Sequence, residues 1–202
     1  DGTEFIASVL KAAEELKDYT FECQIVTYGK GNKATREGGR FWYKDPGLMR
    51  VEVTEGSKKG AEAVLGPDGR IRGHLGGFLK KFVTTLSKDS HFLRSANNYS
   101  MLDSDYVTLM KSLKRQLDSG ARCQVTSQAV STNSSKSYVV EVREGSGADT
   151  RVTQRIFINP ESKLPETWIL YRNGSVYSIT SWRNVRCNVG LTLDVFNLKH
   201  QA

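Results

Sequence analysis

No run of apolar residues in this chain approaches the roughly 18 that a membrane-spanning helix needs. Cysteine is also scarce, and Cys23, Cys123 and Cys187 have no CxxC spacing and no histidine pair nearby, so a zinc site is not predicted. One disulfide with one remaining thiol is compatible with three cysteines, and the sequence does not choose the pair. No secretory signal is visible before the first predicted helix, which suits a mature chain and leaves the compartment undecided.

The sequence also lacks the short motifs of the common enzyme classes. It contains no Gly-x-Ser-x-Gly, no His-Glu-x-x-His and no phosphate-binding loop. The stretch GHLGG at 73–77 has the glycines of an oxyanion loop, but no nucleophile elbow accompanies it and a turn explains these glycines better. We therefore predict a protein that is not an enzyme, with no catalytic residue, no metal and no cofactor.

The chain carries an excess of positive charge. The 202 residues include 29 Lys and Arg against 22 Asp and Glu, a net charge of +7. The basic residues are spread along the chain, and their closest groups are Lys58-Lys59, Lys80-Lys81 and Lys111/Lys114/Arg115. No nucleic-acid motif accompanies them, so we predict no nucleic-acid partner and interpret the excess as a solvated basic surface. The functional alternative is attraction to an anionic membrane surface or to a protein partner.

Hydrophobic periodicity predicts a single α+β domain spanning residues 1–202. Apolar residues recur at helical spacing over 3–17, over 78–87 and over 104–118, where Ser104 or Asp105 is the expected N-cap. The remaining segments alternate with a period of two between turn residues, and the strands predicted after residue 120 are 121–130, 137–144, 151–158, 166–172, 175–183 and 186–195. We expect a strongly curved antiparallel sheet, an open half-barrel, with helices packed on its concave side; a two-sheet sandwich is the alternative.

One predicted hairpin is unusually apolar. The stretch GGRFWYKDPGLMRVEV, residues 38–53, reads as two strands joined by Asp45-Pro46-Gly47. Bulky side chains occur in both phases of the alternation, as they do again in the C-terminal strands around Trp168 and Trp182. A sheet buried against helices explains this pattern, and a concave face that leaves an apolar cavity is the alternative.

Three stretches together resemble the periplasmic lipoprotein carriers and receptors of the bacterial lipoprotein-localisation pathway, which share the LolA/LolB-like fold. They are EGGRFWYKDPGLMRVEV, then AVLGPDGRIRGHL, and finally FINPESKLPETWILYRNGSVYSITSWRNVRCN followed by LDVF. The resemblance covers nearly the whole chain in order. The chain departs from some carriers in having Asp45 where they have an arginine before the hairpin proline, and the receptor's exposed leucine loop has no clear counterpart here.

The resemblance implies a divergent LolA/LolB-like domain, located outside the cytoplasm in a bacterial periplasm or cell envelope. It implies that the half-barrel binds a lipid or the acyl chains of a lipoprotein, without catalysis. A non-enzymatic sensor or protein-interaction domain of the same fold is the alternative function, and an unrecognised hydrolase is a third.

Strand alternation assigns side chains to this cavity, because residues two apart share a face of a sheet. The inward phases that avoid charged residues predict a cavity lined by Phe21, Ile25, Phe41, Tyr43, Met49, Val51 and Val53, with Cys23 as a small core residue. The other phase places Trp42 and Leu48 on the outer face or at the rim. The residues assigned to a lid are Phe78, Phe82 and Leu86, for which plain core packing is the alternative.

Overall fold

The computed structural model describes residues 2–129 and 136–198, and these form two α-helices and eleven β-strands. The helices are α1 (Gly2–Glu14) and α2 (Tyr106–Asp118). The strands are β1 (Asp18–Tyr28), β2 (Ala34–Lys44), β3 (Leu48–Glu55), β4 (Glu62–Leu65), β5 (Ile71–His74), β6 (Thr84–Leu86), β7 (Arg122–Ala129), β8 (Lys136–Glu144), β9 (Arg151–Ile158), β10 (Pro165–Arg172) and β11 (Ser175–Cys187).

The strands described here belong to one sheet in the order β6-β5-β4-β3-β2-β1-β11-β10-β9-β8-β7. Strands that follow one another along the chain pair as antiparallel hairpins, such as β2 with β3 and β10 with β11. The exception is β6 and β7, which follow one another but do not pair, while β1 lies between β2 and the last strand β11. Because β6 and β7 are at opposite ends of this order, the sheet is open. The predicted α+β class is confirmed, and the topology fits an open half-barrel and not a two-sheet sandwich.

The first of two compact units contains both helices, β7–β10 and the beginning of β11, in the segments Asp1–Glu15, Tyr28–Lys33 and Asp105–Ser181. Helix α1 buries Ile6, Val9 and Ala13, which are three and four residues apart and therefore form one stripe. The N-cap of helix α2 is Asp105, whose carboxylate accepts a hydrogen bond from the Thr108 N–H at 2.9 Å. The two helices pack on each other, and α1 also packs on β7.

A buried polar chain joins α2 to the sheet of the first unit. The indole Nε1 of Trp168 donates to Gln154 Oε1 at 2.8 Å, and the Gln154 amide donates in turn to Gln116 of α2. Around them the strands contribute fully buried aliphatic residues, including Val140 and Ile156. The hydrogen bonds satisfy an indole and two amides that would otherwise be costly to bury.

The second unit contains β1–β6, the end of β11 and the residues after it, in the segments Leu16–Thr27, Ala34–Ser104 and Trp182–Ala202. Buried Asp18, at the start of β1, binds the residues that follow β11. Its carboxylate accepts hydrogen bonds from the N–H groups of Val189 at 2.7 Å, Gly190 at 3.1 and 3.2 Å, and Leu191 at 3.0 Å. The Asp18 carbonyl oxygen also accepts the Asn188 N–H at 2.7 Å.

Two predicted elements are wrong. The helix expected over 78–87 is a short 3-10 turn, Gly77–Lys81, followed by β6, whose residues Thr84 and Leu86 pair with β5. Pairing with the otherwise free edge of β5 provides backbone hydrogen bonds that a short helix started by two glycines does not. The strand expected over 186–195 ends at Cys187 as part of β11, because Asn188 and Gly190 adopt positive φ angles of 54° and 78° and turn the chain. The single-domain boundary 1–202 stays a prediction.

Candidate functional site

In the second unit, β2 and β3 place most of the predicted cavity residues on one face. The register pairs Phe41 with Val51, Tyr43 with Met49 and Gly39 with Val53. Residues directly opposite each other in an antiparallel pair point to the same side of the sheet. We call the side that carries Phe41, Tyr43, Met49, Val51 and Val53 the apolar face.

Strands β4 and β5 extend the apolar face. Ala63 lies opposite Val51 and Gly73 lies opposite Ala63, while Leu65 and Ile71 continue the neighbouring row. A Cβ at Gly73 would stand 2.8 Å from Leu86 Cδ1 and 3.1 Å from Phe92 Cε1, so these two side chains cover this end of the face. In the described and registered parts of β2–β5, no residue on the apolar face is charged.

Strand β1 adds aromatic rings to the apolar face. The Tyr19 and Tyr43 rings stack with centroids 4.9 Å apart, and the Phe21 and Phe41 rings stack at 4.8 Å. Tyr19 and Phe21 are themselves 6.1 Å apart, so the four rings form a continuous series. Each stacked pair adds about 0.5–1.5 kcal/mol beyond the area that it buries. This aromatic series is therefore a rigid wall.

Burial divides the predicted lining residues into two groups. Four are buried, with exposed fractions of 4% for Phe21, 2% for Phe41, 8% for Tyr43 and 5% for Met49. The other three, Ile25, Val51 and Val53, are half-buried. Apolar side chains that remain partly accessible are the ones that a bound chain can reach first, so the apolar face is accessible at Val51 and Val53. The cavity-lining role of all seven residues stays a prediction.

The opposite face of the same strands is polar, as the alternation predicts. Arg50 Nη2 donates to Glu52 at 2.9 Å and to Glu62 at 2.7 Å, Nη1 donates to the Val195 carbonyl oxygen at 3.1 Å, and the guanidinium lies 5.6 Å from the Trp42 ring centre. The sequence pattern does not predict this network, because the pairing of Glu52 with Glu62 depends on the register of β3 and β4. Two carboxylates facing each other need a cation between them, and Arg50 provides it.

The predicted rim and lid residues are in different surroundings. Trp42 and Leu48 are both half-buried, and their rim role stays a prediction. Phe78 and Phe82 are exposed to 82% and 65%, whereas Leu86 is half-buried above Gly73. Because the predicted helix is absent, the three lid residues do not form one stripe. Their lid role stays a prediction.

The cysteines are all free thiols, so the disulfide considered above is not formed. Burial raises the pKa of the Cys23 thiol to about 11. The raised pKa lowers the thiolate fraction near neutral pH by about 100-fold relative to a thiol with a pKa of 9.

We expect Cys23 in the folded protein to react with iodoacetamide at pH 8 about 100-fold more slowly than in the protein unfolded in urea, because only the thiolate reacts. Peptide mass spectrometry at timed quenches measures the rate at each cysteine. Equal rates at Cys23 in folded and unfolded protein would contradict its burial.

Three other kinds of site are relevant to the described residues: a metal site, a pocket and a membrane-spanning helix. No group of three or more His, Cys, Asp or Glu is arranged to hold a metal ion in residues 2–129 and 136–198. In the first unit a pocket of about 540 Å³ lies at the C-terminal end of α2. Arg115, Gln116 and Glu144 contribute to its walls, which are too polar for an acyl chain. Of the described helices, neither is long and apolar enough to cross a membrane.

No protein-family model matches the chain, and no curated protein matches it. Several solved structures match it. Lipoprotein LppX of Mycobacterium tuberculosis matches at 14% identity over 96% of this chain and 98% of its own, with a TM-score of 0.57. The MucA/MucB complex of Pseudomonas aeruginosa matches at 12% identity over 98% of this chain and 60% of the matched chain, with a TM-score of 0.52. A LolA superfamily protein of Nitrosomonas europaea matches at 12% identity over 95% and 96%, with a TM-score of 0.47.

At such identities these matches concern the fold alone. The chain has a divergent LolA-like fold, as its sequence motifs predict.

Proposed function

We propose that the protein is an extracytoplasmic carrier or binding protein for a lipid, or for the acyl chains of a lipoprotein, which bind at the apolar face of the second unit. The observation that carries the proposal is the face itself. It extends over β2–β5 without a charged residue in their registered parts, and it passes from a buried aromatic wall to the half-buried Val51 and Val53. Ile25 of β1 is half-buried too and is assigned to the face by strand alternation. Accessible aliphatic side chains beside an uncharged face give an acyl chain a place to bind.

The energy of such binding suits a carrier. An acyl chain of about 14 carbons releases roughly 11 kcal/mol gross when it is buried, at about 0.8 kcal/mol per methylene. Loss of translational and rotational freedom and ordering of the chain offset much of this gain. The net affinity is therefore high enough to hold a lipid in water and low enough to release it to a membrane or a partner.

The two groups of residues on the face have different roles in this proposal. The stacked rings of Tyr19, Phe21, Phe41 and Tyr43 are buried and form the rigid wall that supports the face. Ile25, Val51 and Val53 make contact at the accessible part of the face and determine entry. No nucleophile or general base is required, because transfer of an intact lipid breaks no covalent bond.

The fold supports the proposal without deciding it, since one fold serves several functions. Among the matched structures LppX is a lipoprotein, and MucB is in complex with MucA, so a protein partner is the alternative that the experiments below must separate. An extracytoplasmic location is part of the proposal, and so is the covering role of Leu86 above Gly73.

The test compares two neighbouring residues of β3. We expect Val53→Glu to weaken the binding of a fluorescent fatty acid to delipidated protein by at least about 10-fold, because a charged carboxylate then stands where apolar chain must bind. Thr54→Glu is the matched control, since Thr54 is the next residue of the same strand and is exposed to solvent. It should bind as the wild type does. The isosteric Val51→Thr should give a smaller loss in the same direction.

Circular dichroism melting must accompany the titrations, so that only folded variants are compared. Equal binding by Val53→Glu and wild type would overturn the assignment of the apolar face. Native mass spectrometry of protein isolated from an envelope fraction then separates the alternatives: co-purified lipid supports a carrier, a stoichiometric protein supports a sensor, and turnover of ester substrates would indicate a hydrolase.

A further inference from the structure

A short loop of the second unit exposes large apolar side chains close together. Leu75, Phe78 and Phe82 are exposed to 47%, 82% and 65%, and the two phenylalanines are the most exposed large hydrophobic residues of the described chain. A single exposed apolar side chain is common on soluble proteins, whereas a cluster of bulky ones marks an interaction surface. We call residues 75–83 the phenylalanine loop.

The base of the phenylalanine loop is held in place. A Cβ at Gly76 would stand 2.5 Å from the Lys59 carbonyl oxygen and 3.0 Å from Gly60, so the loop lies directly against the turn before β4. The Phe82 N–H donates to the Leu79 carbonyl oxygen at 3.0 Å and closes the 3-10 turn. Beyond the loop, β6 is paired with β5. The rings are therefore presented to solvent from a structured loop.

Along the chain, the charged residues next to the two rings are all basic. Lys80 and Lys81 lie between the phenylalanines and are exposed, and residues 75–88 contain three lysines and no Asp or Glu. Lys59, which contacts Gly76 through its carbonyl oxygen, is exposed as well. The first carboxylate after the loop is Asp89, on the far side of β6. The tip thus combines apolar rings with ammonium groups.

We propose that the phenylalanine loop docks the protein on an anionic lipid bilayer, with Phe78 and Phe82 inserted at the interface and Lys80 and Lys81 at the headgroup phosphates. Phenylalanine side chains bury apolar area at the boundary between headgroups and acyl chains, and lysines beside an anionic surface add attraction that salt weakens. Protein interfaces, in contrast, are depleted in lysine at their centres. The lysines between the rings therefore favour a membrane over a protein as the occupant. Docking through the exposed loop does not depend on which cargo the apolar face binds.

Sedimentation with sucrose-loaded vesicles tests the proposal. We expect the protein to bind vesicles of phosphatidylcholine with 30% phosphatidylglycerol more tightly than vesicles of phosphatidylcholine alone, and 0.5 M NaCl to reduce the difference. The double variant Phe78→Ser with Phe82→Ser should lose at least about 10-fold in partitioning. Lys80→Gln with Lys81→Gln should lose the preference for anionic lipid while keeping the weak binding to neutral vesicles.

Two controls separate docking from other causes. Leu193→Ser removes another large apolar side chain of the same unit, exposed to 56%, and should bind vesicles as the wild type does. Val53→Glu removes lipid binding at the apolar face in the proposal above, and it should also keep vesicle binding. Since the substituted loop side chains are exposed, circular dichroism melting should be unchanged in the loop variants.

Three results would overturn the inference. One is vesicle binding that is equal for the wild type and the double phenylalanine variant. Another is the absence of any preference for anionic vesicles. The third is a dimer seen by light scattering that the double phenylalanine variant abolishes, because the rings would then contact a second copy of the chain.

Discussion

Replacing Met49 with glutamate is expected to lower the free energy of unfolding by about 4 kcal/mol or more, enough to unfold much of a domain of ordinary stability. Met49 is 5% exposed on the apolar face, and its registered neighbours there are Tyr43 and Leu65, neither of which offers a positive charge. The new carboxylate would therefore be buried without a partner. Urea denaturation followed by tryptophan fluorescence measures the change.

The control for this prediction is Met49→Leu, which conserves volume and should cost less than about 1.5 kcal/mol. A folded Met49→Glu protein that has lost fatty-acid binding would mean that water reaches this position and that the cavity extends further than the burial of Met49 indicates. The same two outcomes distinguish a filled core from an open cavity for Tyr43→Glu, since Tyr43 is the buried partner of Met49 in the register. The structure predicts that charge is tolerated on the apolar face at Val53 and is not tolerated at Met49.

Asp18→Ala is the second substitution with a large expected effect, a loss of about 3 kcal/mol in the free energy of unfolding. Charge-assisted hydrogen bonds are worth about 1.5–3 kcal/mol each and are not additive, and the change leaves the N–H groups of Val189, Gly190 and Leu191 without their acceptor. Hydrogen exchange should show these three amides losing their protection.

Asp18→Asn is the matched control, because it keeps one acceptor oxygen and the shape of the side chain while removing the charge. We expect it to lose about half as much stability as Asp18→Ala. If exchange at residues 189–191 were the same in the wild type and in Asp18→Ala, the carboxylate would not be what holds this segment.

The sequence predicted best where local alternation is enough. The period of two, with the charged residues in the other phase, predicts Phe21, Phe41, Tyr43 and Met49 on one face, and all four are buried. Helix α2 and its N-cap were also predictable, since an amphipathic stripe and a capping residue are both local signals. The LolA-like fold came from short motifs in a fixed order.

The sequence predicted least where distant residues or competing local signals decide. Phe78, Phe82 and Leu86 have helical spacing, yet the pairing of β6 with β5 overrides it and leaves the rings exposed. The link between Asp18 and residues 189–191 spans more than 170 positions and has no local signature. The half-burial of Val51 beside a buried Met49 likewise depends on the tertiary packing.

The position of β1 between β2 and β11 has a consequence for the order in which the protein can be made. β2 begins at Ala34, a few residues after β1 ends, but the strand that covers the other edge of β1 begins only at Ser175. A nascent chain therefore displays an unpaired β-edge until β11 has emerged, and such edges recruit other strands. Closing so long a loop is also slow. We expect this chain to depend on a holding chaperone during synthesis, and premature termination before Ser175 to yield aggregates.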